Sequence, residues 1–217
     1  MKYEAVIFDL DGTLLDTLED LRDAVNKALR SQGLPQRSLE EIRSFVGNGI
    51  VKLMERAVPD HRETLAFDEL MEGFRAFYGE HCRDKTAPYP GIMEMLRTLR
   101  ENDIKTAVVS NKADFAVREL IPVYFGGLID VAYGENEAAG IRKKPAPDMV
   151  QQVLRELGCR TGNAVYVGDS DVDLQTAANA GMDCIGVSWG FRGREFLRQH
   201  GAGIIIDEPS ELLEKVK

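Results

Sequence analysis

The chain is poor in the residues that build disulfide frameworks and zinc sites. It has three cysteines (Cys82, Cys159, Cys184), three histidines (His61, His81, His200) and one tryptophan in 217 residues. The cysteines are odd in number, far apart and without metal-ligand spacing, so three reduced, partly buried thiols are expected. The histidines also lack zinc spacing and read as surface or packing residues. No apolar run approaches the ~20 residues of a membrane-spanning helix. An apolar run begins within a few residues of Met1, which leaves no room for a signal peptide, and the cytoplasm is the expected location. Positive charge is scarce too, with 27 Lys+Arg against 36 Asp+Glu and a net charge of −9. That balance argues against sequence-independent binding to nucleic acid or to anionic membrane surfaces. It would also repel an anionic substrate, so a phosphate site here needs a local attractor: a metal, a lysine or backbone N–H groups.

What is present starts at the N-terminus, where Val6-Ile7-Phe8 runs into Asp9-Leu10-Asp11-Gly12-Thr13-Leu14-Leu15. The β-branched and aromatic run predicts a buried strand, and Gly12 a sharp turn at its end. Side-chain alternation puts Asp9 and Asp11 on one face. Two such carboxylates repel unless a cation or proton lies between them, so the pair suits metal binding or a nucleophile beside a general acid. A calcium loop starting at Asp9 would need Gly at position 14 and Glu at position 20. The chain has Leu14 and Asp20 there, which argues against it.

After Leu15 the period becomes helical. Leu18, Leu21, Val25, Ala28 and Leu29 share a face, and Gly33-Leu34-Pro35 ends that helix. Ser38-Leu39-Glu40-Glu41 has the form of a capping box. Gly47-Asn48-Gly49 breaks the next helix, Ile50 to Val58 is helical again, and an amphipathic segment with Leu70, Met71, Phe74, Phe77 and Tyr78 runs to about Cys82. Strand–helix alternation follows Pro88-Tyr89-Pro90-Gly91. Strands are expected at 105–109, 129–132, 164–167, 184–187 and 204–206, with helices at 92–102, from Ser110-Asn111 to about Leu120, 147–157, 172–180, near 194–199 and at the end. The expected class is therefore α/β, a Rossmann-like parallel sheet with helices on both faces. Residues 1–15 and 84–217 form its core, and 16–83 an inserted all-helical domain.

Open parallel sheets bind ligands at the carboxyl ends of their strands, and several polar segments fall there. Ser110-Asn111 reads either as a plain N-cap or as a holder of a phosphoryl oxygen. Lys143-Lys144 reads as a solvated pair or as a source of phosphate neutralisation, and Lys144 is the better candidate because Pro145 stiffens the loop. Gly168-Asp169-Ser170-Asp171-Val172-Asp173 carries more carboxylates than helix capping needs and suggests metal binding. Gly47-Asn48-Gly49 is a turn or an anion-contacting loop.

Asp-x-Asp-Gly-Thr, a strand-end Ser, a Lys-Pro and Gly-Asp-x-x-x-Asp, in this order, resemble the haloacid dehalogenase superfamily of phosphotransferases. The resemblance covers 1–15 and 84–217, and the helical insertion is similar to that superfamily's first type of cap. Val46-Gly47-Asn48-Gly49 with Leu53-Met54-Glu55-Arg56-Ala57, and Tyr89-Pro90-Gly91, resemble phosphoglycolate phosphatases. The resemblance implies that Asp9 is the nucleophile of a phosphoaspartyl intermediate and that Asp11 is the general acid and base. It implies Mg2+ held by Asp9, the main-chain carbonyl of Asp11 and Asp169, with Asp173 steadying the metal or Lys144. Ser110 and Lys144 would bind the transferring phosphoryl group, and Gly12, Thr13, Asn111, Gly47, Asn48 and Gly49 would contact the substrate. The implied partner is a small phosphorylated metabolite such as 2-phosphoglycolate, met by a monomer or homodimer with no nucleic acid or membrane. Arg43, Lys52 and Arg56 either meet a substrate carboxylate or are solvated helix residues. Hydrolytic dehalogenases of the superfamily lack an acid where Asp11 stands, which favours phosphate chemistry. The competing readings are a pyrophosphatase, a nucleotidase or a mutase similar to β-phosphoglucomutase. Outside catalysis they are a phosphorylatable signalling domain, which would be shorter and lack the helical segment, and an inactive binding protein.

Overall fold

The computed structural model describes residues 2–58 and 67–217, so His61 lies outside the described residues. The strands are β1 (Ala5–Phe8), β2 (Leu15–Asp16), β3 (Ala87–Pro88), β4 (Lys105–Ala113), β5 (Val131–Glu135), β6 (Ala164–Gly168), β7 (Asp183–Val187) and β8 (Ile205–Ile206). The helices are α1 (Leu18–Ser31), α2 (Leu39–Phe45), α3 (Ile50–Ala57), α4 (Phe67–His81), α5 (Ile92–Glu101), α6 (Asp114–Phe125), α7 (Asp148–Leu157), α8 (Asp171–Ala180), α9 (Gly193–Gln199) and α10 (Leu212–Lys215). None of the described helices is long and apolar enough to cross a membrane. Cys82, Cys159 and Cys184 are free, and Cys82 is buried.

Six strands form one sheet in the order β5-β4-β1-β6-β7-β8, and every neighbouring pair is parallel. Alternation along β1 explains why both faces are covered. Ala5 and Ile7 pack with Val150 and Val153 of α7, whereas Val6 and Phe8 join a cluster that includes Leu96 of α5 and Leu120 of α6. Strand order runs outward in opposite senses from β1 and β6, so the switch point lies outside the carboxyl end of β1. Asp9 is the first residue past that end.

The helical segment α1–α4 leaves and re-enters through the short antiparallel ribbon β2–β3, which the sequence reading lacked. Its first helix packs against α2 and α4. The expected capping box is present: Glu41 N donates to Ser38 Oγ at 3.3 Å and Ser38 N donates to Glu41 Oε2 at 2.7 Å. The apolar cluster under the sheet continues without a break into Leu21 of α1 and Phe74 of α4.

Asp20 fastens the return of this segment. Its buried carboxylate accepts from the backbone N–H of Lys85 and Thr86 and from the Thr86 hydroxyl, at 2.8 to 3.1 Å. Asp20→Ala would strand two backbone donors. We expect it to lower the unfolding free energy by about 2–3 kcal/mol, the cost of losing buried hydrogen bonds to a charge, read as a fall in urea midpoint at constant slope.

Two expected boundaries move. β4 continues through Ser110-Asn111 to Ala113 instead of stopping at Val109, and α6 begins at Asp114 with no side-chain cap. Ser110 and Asn111 are therefore not an N-cap. The register with β5 shifts between Val109 and Ala113, a local irregularity that lets pairing resume at Glu135. The expected strand at 129–132 accordingly lies at Val131–Glu135, following the longer β4.

Candidate active site

The carboxyl ends of β1, β4 and β6 meet at one cavity. Asp9, Asp11, Ser110, Asn111 and Asp169 line its floor, and Gly47 and Gly49 line the side toward the helical segment. Beneath the floor lies a buried ionic cluster. Carboxylate oxygens of Asp9, Asp169 and Asp173 lie within 4.8 Å of one another. Lys144 Nζ sits 2.8 Å from Asp9 Oδ1 and 2.8 Å from Asp173 Oδ1, and 3.3 Å from the Tyr166 hydroxyl. One carboxylate from each of two strand ends, a third from α8 and a lysine from the loop before α7 thus share a buried space. Asp171 is partly exposed and not in the group.

Electrostatics follow from that crowding. Burial, then the charges of Asp173 and Asp11, push Asp9 up to about 6 against the pull of Lys144. Burial and the charges of Asp173 and Asp9 likewise hold Asp169 well above the usual carboxylate range, although the Phe191 N–H and Lys144 oppose them. Burial works against the charge of Lys144, but Asp173 and Asp9 outweigh it and keep its pKa well above the ordinary lysine value. Three carboxylates against one ammonium leave an excess of buried negative charge, and the donors are all hard oxygens. This set fits a divalent cation such as Mg2+. Room exists for one: Asp9 Oδ1 and Asp169 Oδ2 are taken by Leu10 N and Phe191 N, each at 2.7 Å, while among the described residues no hydrogen bond reaches Asp9 Oδ2 or Asp169 Oδ1.

Glycine makes the close packing around Asp169 possible. A Cβ on Gly12, at φ +83°, would lie 2.4 Å from Asp169 Oδ2, and one on Gly190 would lie 2.3 Å from both the Asp169 Cβ and the Gly12 carbonyl oxygen. Gly12 thereby shapes the floor without lining the cavity. Thr13 is fully buried, and among the described residues its hydroxyl has no hydrogen-bond partner. Asn48 turns its amide oxygen to Arg56 at 2.8 Å. Asp173 and Lys144 are in the cluster behind Asp9, with Asp173 Oδ2 also accepting from the Ser170 N–H and hydroxyl. The structure thus separates Lys144 from Lys143, whose ammonium pairs with Glu137 at the surface.

Asp11 faces away from the three-carboxylate cluster. Its Oδ1 accepts from the Thr17 hydroxyl at 2.9 Å and from Lys112 Nζ at 3.0 Å. Lys112 is buried, reaches the Tyr78 hydroxyl of α4 at 2.5 Å, and lines the same cavity. Asn111 ties two loops to β4. Its amide donates to the carbonyls of Gly47 at 3.0 Å and Lys144 at 3.1 Å, and accepts from Lys144 N at 2.8 Å. Arg192, after β7, reaches across to the carbonyls of Arg43, Ser44 and Val46 at the carboxyl end of α2, at 2.9 to 3.4 Å, where such carbonyls lack helical partners.

Sequence reasoning missed Lys112, Tyr78, Tyr166 and Arg192. The signal for Lys112 was its place two residues after Ser110, hidden because β4 was ended too early. Tyr166 sits in a buried strand and Tyr78 in an apolar helix face, so each passed for core. Of the three residues near the glycine loop, Arg43 pairs with Glu40, Lys52 with Glu55, and Arg56 with Phe45 O and Asn48.

Comparison with known proteins follows the same lines. Residues 6–187 match the family described as haloacid dehalogenase-like hydrolase. A phosphoglycolate phosphatase of Chromobacterium violaceum is 34% identical over 223 residues, covering 99% of this chain and 96% of its own. A solved structure from Lactobacillus delbrueckii subsp. bulgaricus, described as a candidate phosphoglycolate phosphatase, superposes with a TM-score of 0.91 at 39% identity, covering 100% of this chain and 99% of its own. CbbY from Rhodobacter sphaeroides, solved in complex with phosphate, superposes with a TM-score of 0.77 at 27% identity, covering 97% of this chain and 96% of its own.

Proposed function

The chain belongs to the haloacid dehalogenase-like hydrolases, and from that premise we propose that it is a Mg2+-dependent phosphatase of small phosphate monoesters, with 2-phosphoglycolate as its substrate. The observation that carries the reading is Asp9 at the cavity floor, backed by Lys144 and flanked by Asp169 and Asp173, with Asp11 on the far side. The names of the relatives supply the substrate. Residues 16–83 act as a cap over the core formed by 1–15 and 84–217.

In this mechanism Asp9 attacks phosphorus, forming an acyl phosphate as the ester P–O bond breaks. Asp11 gives its proton to the departing alkoxide, then takes one from the water that cleaves the acyl phosphate. Lys144 holds the Asp9 carboxylate in place and sets a positive field behind it. Ser110, on the cavity floor, hydrogen-bonds a phosphoryl oxygen. Asp9, the main-chain carbonyl of Asp11 and Asp169 would hold Mg2+, with Asp173 steadying them through Lys144; the ion supplies charge neutralisation at the phosphoryl oxygens. The cap's apolar residues Leu21, Ile50 and Leu53 line the same cavity and exclude water from it.

The test is kcat/KM for Mg2+-dependent phosphate release from 2-phosphoglycolate beside hexose phosphates, nucleotides and pyrophosphate. We expect 2-phosphoglycolate to lead by about a hundredfold or more, roughly 2.7 kcal/mol of discrimination in the transition state. A profile led by pyrophosphate or a nucleotide overturns the substrate. Isomerisation of a hexose phosphate without phosphate release overturns hydrolysis in favour of a mutase.

A further inference from the structure

We propose that Lys112 is the receptor for a carboxylate on the substrate, so that the site selects compact phosphorylated acids over phosphate esters in general. The inference rests on the phosphatase reading above and names what that site recognises beyond the phosphoryl group.

Lys112 and Arg192 are the cationic side chains among the described residues that line the cavity. Arg192 has its guanidinium committed to the carbonyls of Arg43, Ser44 and Val46. Lys112 carries three N–H groups, and its described partners are one carboxylate, Asp11, and one phenol, Tyr78. Its charge is out of water, where an ionic hydrogen bond is stronger than at the surface. Apart from the polar floor residues, Tyr78 and Arg192, the cavity is lined by apolar side chains that include Leu21, Val46, Ile50, Leu53 and Phe191. An uncharged alkyl end would meet those side chains without penalty and a carboxylate would lose its hydration against them, so they cannot favour an acid. Lys112 can.

Spacing fits a short molecule. Ser110 and Lys112 lie two residues apart on β4 and both line the cavity, a separation of at most about 7 Å along a strand. A phosphoryl group at Ser110 and Asp9 and a carboxylate at Lys112 are bridged by a molecule with one ester oxygen and one methylene between phosphorus and carboxyl carbon. A longer phosphorylated sugar would have to pass the apolar wall.

The experiment compares two esters of the same length, 2-phosphoglycolate and ethyl phosphate, in the unaltered protein and in Lys112→Gln. Lys112 also touches Asp11, so turnover of both esters falls in the variant, and the informative quantity is the ratio of their kcat/KM values. We expect that ratio to drop roughly tenfold to hundredfold, the worth of one charged hydrogen bond, with partial recovery in Lys112→Arg. Equal losses on both esters, leaving the ratio unchanged, would mean that Lys112 acts only by holding Asp11, and the proposal falls while the phosphatase reading stands. No hydrolysis of either ester by the unaltered protein with Mg2+ would instead overturn 2-phosphoglycolate as the substrate, and this inference with it. A measurement independent of the variant's folding uses the unaltered protein alone. Glycolate should compete with 2-phosphoglycolate at a concentration at least about tenfold lower than ethylene glycol does; equal competition overturns the proposal.

Discussion

Asp9→Asn should abolish phosphate release while leaving a protein that is as stable as the unaltered one, or more so. The amide cannot form the acyl phosphate, and removing a nucleophile that works with an acid–base partner costs about 10^4-fold or more in kcat. The stability half follows from burial. Asp9 titrates near 6 instead of at its ordinary 3.8, because burial and the charges of Asp173 and Asp11 outweigh Lys144. A carboxyl group raised in the folded state contributes stability that is complete below its unfolded pKa and is lost as pH rises through the folded one. At pH 7 to 8 that contribution is gone, whereas Asn, which stays neutral, never loses it. In EDTA the variant's melting temperature should match that of the unaltered protein near pH 4, exceed it increasingly as pH rises to about 6, and stay above it by a constant margin beyond. Turnover persisting in a well-folded variant removes Asp9 as nucleophile. A variant that melts lower at pH 8 contradicts the electrostatic account of the cluster.

Lys144→Met should be costly in both respects. All three ammonium N–H groups have partners, in Asp9, Asp173 and the Tyr166 hydroxyl. Removing the cation leaves buried carboxylates facing one another, and breaking a buried ion pair from one side costs about 3–5 kcal/mol. Catalysis loses the group that holds Asp9 and the field behind it, a further roughly 10^2–10^3-fold in kcat. Lys144→Arg should not rescue either effect, because a planar fork does not fit a point-charge site ringed on three sides. The check is a urea titration beside steady-state kinetics. Added Mg2+ should raise the melting temperature of Lys144→Met by more than it raises that of the unaltered protein, since the excess negative charge is then larger. An unfolding free energy within about 1 kcal/mol of the unaltered protein's would show that the cluster is solvated.

How much of this was legible beforehand differs from residue to residue. Val6-Ile7-Phe8 announces a buried strand because β-branched and aromatic residues in a row suit a strand covered on both faces, and β1 is that strand. Ser38 and Glu41 announce a helix start because the capping box is a contact over three residues. The parallel α/β sheet was readable from alternating strand and helix periods. β4 was read too short because Ser110, Asn111 and Lys112 are polar. Nothing local says that their side chains would be buried against Asp11, Lys144 and Gly47. Tyr166 and Tyr78 were hidden for the opposite reason: aromatic side chains in apolar surroundings give no hint that their hydroxyls touch lysines.

Local sequence was enough for most of the larger strands and helices, though not for β2, β3 or the end of β4, for the strand-end placement of Asp9, Asp11 and Asp169, and for a superfamily resemblance that the family comparison bears out. These depend on contacts between near neighbours along the chain, whose geometry is set by helix and strand periods. Tertiary structure alone decided the strand order, the gathering of Asp9, Asp169 and Asp173 around Lys144, the turning of Asp11 toward Lys112, and the clasp of Arg192 on α2. Apart from Asp169 with Asp173, those side-chain contacts join residues from 29 to 149 positions apart. Their energies come from burying charge beside charge in a common low-dielectric space, which exists only after the sheet and the helical segment have packed.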